Sequence, residues 1–170
     1  LEQSRENGFG ETPLKKYRRH IFLLHPNIVV IYDELEAGKA VRWDWMLHSP
    51  VKFQIDEATS TLTTRNKKRR YTSVARLFSE QKCTISQTDK FAAEPNTKAG
   101  VRGEDFTSPW SLTASYAPSK TNRILTIIQV EADGNRIVDI KHADSNSFQC
   151  GDWKIEAELN TCLLYTSDAA

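Results

Sequence analysis

The chain has 170 residues, of which 39% are hydrophobic and 26% charged, with a formal net charge of +1 at pH 7. That length suffices for one domain with a substantial core, and so small a net charge gives no global field to favour nucleic acid or a membrane surface. No apolar stretch approaches the ~20 residues of a spanning helix, and three cysteines (Cys83, Cys150, Cys162) without CxxC spacing indicate neither a zinc site nor a redox motif.

Taken in order, residues 1–13 read as a connecting loop, with Asn7-Gly8, Gly10 and Pro13 as its breakers. Three strands follow as a meander: 21–24, then 28–32 after His25-Pro26-Asn27, then 41–47 after the polar turn Glu36-Ala37-Gly38-Lys39. The last alternates Val41, Trp43, Trp45 and Leu47 against Arg42, Asp44, Met46 and His48, the period of two of a half-buried strand. Ser49-Pro50 breaks the run, and 51–56 alternates again. Residues 60–64 and 71–78 form a hairpin about Asn66-Lys67-Lys68, and 83–86 is a short strand. The polar stretch 88–108 is a long surface loop of the kind that is functional or mobile. Strands at 110–116, 122–131, 136–140, 147–150 and 153–159 complete the pattern, with a strong turn signal at Ala132-Asp133-Gly134-Asn135. No segment sustains a 3.6-residue apolar period. The expectation is an all-β chain, an antiparallel β-sandwich of ten or more strands over residues 14–160, with a closed barrel as the alternative. Whether Cys83 and Cys150 are paired is left open by their spacing.

Three polar groups could carry chemistry. If Leu24 pairs with Val29, His20 falls opposite Asp33, within reach of a His–carboxylate hydrogen bond. His48 would join them only across a wide second turn. A His20/Asp33/His48 set is a candidate zinc site or acid–base pair, against a plain structural His–Asp bond, which is the preferred reading. His142, Asp144 and Asn146 form a second cluster, read chiefly as a turn hydrogen-bonding its own backbone. Arg65, Lys67, Lys68, Arg69 and Arg70 make a basic hairpin tip able to hold an acidic polysaccharide, although such a tip is more often simply solvated. Trp43 and Trp45 share a face and are expected in the core. Trp110 and Trp153 open strands, as core residues or as sugar-stacking platforms. No GxSxG, GxGxxG, HExxH or P-loop occurs, so the residues by themselves describe a sandwich without an autonomous active site.

Three segments carry a resemblance: YRRHIFLLHPNIVVIYDELEAGKAVRWDWMLHS, SPWSLTASYAPSKTNRILTIIQVE and GDWKIEAEL. Together, and in this order, they resemble the heparinase II/III-like polysaccharide lyases, over most of residues 14–159. The resemblance implies the C-terminal β-sandwich of a protein that also has an N-terminal α/α-toroid, and β-elimination on uronic-acid polysaccharides. In the family a base removes the C5 proton while polar or positive groups neutralise the neighbouring carboxylate. Base and acid, typically Tyr and His, come largely from the toroid and from a His-x-His motif early in the sandwich, which helps hold zinc in some members. Here the segment 140–148 is similar to that motif only in part: Ile140 replaces the first His, and the segment follows the opening stretch instead of preceding it. No catalytic residue is therefore carried over, and Arg19, His20, Asp33 and His48 match recurrent family positions without a catalytic role. The resemblance further implies an acidic polysaccharide as partner of the full-length protein, no nucleic-acid or membrane partner, zinc only in the full-length protein, and a periplasmic or secreted location.

The tail Cys162 to Ala170, CLLYTSDAA, resembles the in-frame translation of a transposase sequencing-library adapter. With a first residue other than Met, this makes the expected entity a fragment cut at both ends, with 161–170 foreign to it and no activity of its own. The competing expectations are a non-catalytic carbohydrate-binding module, which would show a row of exposed aromatics, and a purely structural sandwich.

Overall fold

The computed structural model describes residues 13–91, 109–132, 134–144, 146–159 and 164–168. The connecting loop at 1–12, most of the polar loop at 88–108 and much of the adapter-like tail lie outside the described residues. Among the described residues the chain forms eleven strands: β1 (Leu14–Leu24), β2 (Ile28–Ser49), β3 (Gln54–Asp56), β4 (Thr61–Asn66), β5 (Tyr71–Phe78), β6 (Cys83–Thr88), β7 (Trp110–Glu131), β8 (Ile140–Asp144), β9 (Ser147–Cys150), β10 (Trp153–Ala157) and β11 (Leu164–Asp168). All pairings are antiparallel. A seven-stranded sheet runs β1-β2-β7-β5-β4-β3 with β6 also on β7, and a four-stranded sheet runs β11-β10-β9-β8.

The chain is all-β, as its alternation dictates. Ile28, Val30 and Tyr32 of β2 point one way with Leu125 and Ile127 of β7, and meet Phe148, Cys150, Ile155 and Ala157 of the small sheet in one buried cluster. This is the layer between the two sheets of a sandwich. Side chains of opposite parity form a second core on the other face of the large sheet, with Leu35, Trp45, Leu62, Leu77, Leu112, Ala114 and Ile124 buried together. Tyr32 ties the sheets, its hydroxyl donating to the Glu158 carbonyl at 2.8 Å. Trp153 does the same, its indole N–H donating to the His25 carbonyl at 3.0 Å.

The turn expected at 36–39 does not form. β2 and β7 are each single strands of 22 residues, where the sequence suggested two apiece. Between Glu36↔Thr121 and Val41↔Ser119, β2 advances five residues while β7 advances two. The polar stretch around Gly38 is thus a bulge in one continuous strand, with the Gly38 N–H donating to the Pro13 carbonyl at 2.8 Å. Between Val41↔Ser119 and Trp43↔Tyr116 the surplus residue lies on β7, where Pro118 needs no ladder partner. Gly and Pro mark bulges as readily as turns.

A second correction concerns 136–140. Only Ile140 of that stretch is in a strand, and β8 continues to Asp144. Gln129, 1% exposed, holds the preceding segment with its side chain: Nε2 donates to the Val138 carbonyl at 2.8 Å, and the Val138 N–H donates to Oε1 at 2.9 Å. Gln129→Leu is expected to cost roughly 1–3 kcal/mol, because it strands a backbone donor and acceptor. Amide exchange should accelerate at Val138 more than at Ile127, and uniform protection at both would refute the clamp.

Cys83 and Cys150 are both free thiols. Burial pushes the Cys150 thiol from its ordinary 9.0 up to about 11, and burial, with Cys83 alongside, pushes the Tyr116 hydroxyl well above 10.0. In each case the unfolded chain ionises first, so stability is fully present below pH 9 and falls as pH rises from there towards 11. Cys150→Val should flatten the first part of that fall in a denaturant titration run against pH, leaving the part due to Tyr116.

Candidate functional site

β1 is an edge strand with two unlike faces. Lys16, Arg18 and His20 alternate with Tyr17, Arg19, Ile21 and Leu23. The turn before β2 holds three residues, 25–27, so Leu24 pairs with Ile28 and the register is one residue short of the expected one. A slip of one moves every side chain to a new partner. His20 therefore lies opposite Tyr32, and Arg19 opposite Asp33; the anticipated His20–Asp33 bond is not made.

Asp33 is 1% exposed, and it takes the Arg19 fork side-on, with Nε–Oδ1 at 2.6 Å and Nη2–Oδ2 at 2.9 Å. That carboxylate raises the Arg19 guanidinium above its usual range, chiefly through the hydrogen bond. Glu34 is equally buried on the opposite face of the sheet. His20 Nε2 lies 2.9 Å from its Oε1, Lys16 Nζ binds Oε2, and Arg18 Nη1 stands 3.9 Å from Oε1. Both carboxylates are saturated by cations, so neither is poised as a base. The sequence carried a signal for this pairing in the basic run Lys15 to His20 set against Asp33-Glu34, once the register is known.

His48 sits at the other end of β2, exposed and opposite Ser111. Fifteen residues of extended chain separate it from Asp33, a contour of about 50 Å. His20, Asp33 and His48 do not converge, and among the described residues no group of three His, Cys, Asp or Glu side chains could hold a metal ion.

The second cluster is split. His142 lies in β8 and stacks on Phe148, centroids 4.6 Å apart and planes at 8°. Asp144 accepts the Asn146 N–H at 2.9 Å, the self-bonded turn that was expected. The basic residues 67–70 form the exposed turn between β4 and β5. Trp45 is buried, and Trp43, Trp110 and Trp153 pack half-buried against the two cores, so no row of exposed tryptophans occurs among the described residues.

What the sequence did not reveal is a cleft of about 350 Å³ where β1 meets the bend of β2. Its walls include Tyr17, Trp43, Trp45 and Met46, and its polar groups are Arg19, Asp33 and Asp44. Asp44 is paired from outside by Arg42 at 2.9 Å and accepts the Ser115 hydroxyl at 2.7 Å. The indole N–H of Trp45 has no acceptor among the described residues.

The fold is similar to that of heparinase III. A solved structure of a heparinase III gene product with methylated lysines superposes with a TM-score of 0.56 at 12% identity, over 93% of this chain and 24% of that one. A second structure of the heparinase III gene product gives a TM-score of 0.54 at 13% identity, over 89% of this chain and 23% of that one. The chain thus spans about a quarter of the length of these structures. No family profile matches it, and no curated protein matches its sequence.

Proposed function

We propose that this chain is the C-terminal β-sandwich part of a heparinase II/III-like polysaccharide lyase, and that it is inactive alone. The observation that carries the reading is the fold likeness to heparinase III across 93% of the chain. The surface of β1 supports it. Tyr17, Ile21 and Leu23 are 57%, 60% and 76% exposed on one strand face, an apolar row of the kind a second domain covers. In this reading an α/α-toroid docks there and supplies most of the catalytic set. The reaction is β-elimination on a uronic-acid polysaccharide, where removing the C5 proton is feasible only if the charge developing on the neighbouring carboxylate is neutralised in place. Zinc, where used, belongs to a His-x-His motif outside this chain, and the whole protein is periplasmic or secreted. Residues 161–170 are read as adapter-derived; the pairing of β11 with β10 rests on main-chain groups that any β-compatible segment carries.

The reading is tested on the genomic locus. An upstream frame encoding an α/α-toroid followed by His-x-His is the expected result, and a frame encoding neither would remove the lyase assignment.

A further inference from the structure

We propose that the tip of the β4–β5 hairpin, Arg65 with Lys67, Lys68, Arg69 and Arg70, is a non-catalytic binding site for an anionic polysaccharide. All five cations are exposed, and among the described residues none is in an ion pair. Glu131, which β7 brings alongside Thr72 at the base of the hairpin, does not pair with them either. Five positive charges exceed the formal net charge of +1 for the whole chain, so everything outside the tip is net acidic. The chain's excess of positive charge sits in this one turn.

Two features of the turn serve no structural need. Four cations follow one another at 67–70, with consecutive Cα atoms ~3.8 Å apart, inside the ~8 Å over which physiological salt screens charge, so they repel one another. Arg70 has φ +56°, in the left-handed region where glycine or asparagine is favoured and a longer side chain is strained. The turn closes by other means: the Arg69 N–H donates to the Asn66 side-chain oxygen at 2.9 Å, a bond that requires no cation. Asn, Gly or Ser would suit all four positions better. Like-charge crowding in a fixed turn is relieved by an opposite charge, and local departures of this kind mark functional sites.

The surroundings of the tip narrow the partner. Arg holds carboxylate or sulfate by its planar fork and Lys holds it as a point charge. A duplex nucleic acid carries a charge every ~1.7 Å along a stiff rod and needs a basic stripe, which the net-acidic remainder of the chain does not offer. Single strands need aromatic platforms, and membrane contacts of this kind pair their cations with apolar residues; residues 65–70 contain neither. A carboxylated polysaccharide, whose charges are spaced along a flexible chain, fits a single turn. The hairpin lies three and four strands from β1 in the large sheet, roughly 14–19 Å across, and is separate from the apolar row assigned to a docked domain. The choice of a glycan rests in part on the lyase reading, in which the tip anchors the substrate chain without touching the reacting sugar.

The test titrates the full chain with polygalacturonate, neutral dextran, duplex DNA and phosphatidylserine vesicles in ~0.15 M salt, by calorimetry. Polygalacturonate should bind more tightly than DNA or vesicles, and dextran should not bind. A variant with Lys67→Ser, Lys68→Ser, Arg69→Ser and Arg70→Asn should bind polygalacturonate about tenfold more weakly. Its thermal midpoint should lie at or above the parent's, because strain and repulsion are gone. Absence of polygalacturonate binding, or equal binding by the variant, would overturn the proposal. So would tighter binding of DNA or vesicles, or a lowered midpoint in the variant, which would make the cations structural. None of these outcomes touches the upstream-frame test of the lyase reading, and a locus without a toroid would leave the binding result standing.

Discussion

Phe148→Ala is expected to be the most damaging single substitution in the small sheet, lowering stability by about 3–5 kcal/mol. Phe148 is fully buried, its ring 4.5 Å from that of Phe78 across the layer between the sheets and stacked at 4.6 Å on that of His142, which itself lies 5.9 Å from Phe78. Truncation opens a cavity where β5, β8 and β9 meet, and β9 has only four residues with which to close it. For a chain of this length the midpoint of thermal unfolding should fall by roughly 10 °C or more. Phe148→Leu, which keeps most of the volume, should recover more than half of the loss. Equal effects of the two variants in a thermal melt would mean that the layer is not tightly packed.

The second large effect is an asymmetry. Arg19→Ala should destabilise the chain by about 3 kcal/mol, because it leaves the Asp33 carboxylate buried without its fork. Asp33→Ala should cost less, since the Arg19 side chain is 35% exposed and can turn its guanidinium to water. Removing both should cost less than the sum of the two, the excess measuring their coupling. The order matters more than the sizes: if Asp33→Ala proves the more harmful in a urea titration, the carboxylate is not the buried member of the pair.

The all-β class was legible in the sequence, because the alternation at 41–47 and 51–56, and short apolar runs such as 28–32 between turn signals, reflect sheet burial directly. So was the β4–β5 hairpin, where a polar turn leaves no competing reading. Boundaries failed where one chemical signal serves two structures. Gly38 looked like a turn residue and lies in a bulge, and the gap left between 116 and 122 is strand, so two continuous strands were read as four. The pairing of the basic β1 with Asp33-Glu34 failed by one residue, because the turn at 25–27 is shorter by one than the assumed register requires. That single unit exchanged His20 for Arg19 opposite Asp33 and dissolved the expected His–Asp pair. Gln129 was invisible for another reason: a side chain that imitates a neighbouring strand leaves no period in the sequence. The cleft was equally hidden, since Tyr17 and Trp45 come to line it only through a strand pairing and a bulge that leave no signal in the sequence.

The chain is incubated with alginate, heparan sulfate and polygalacturonate, and the ultraviolet absorbance of unsaturated sugar ends is followed, with a characterised lyase as positive control. No turnover is the expected result, since Asp33 and Glu34 are both held by cations and His48 lies fifteen residues further along β2 than Asp33. Sustained turnover would instead place a complete catalytic set within these residues.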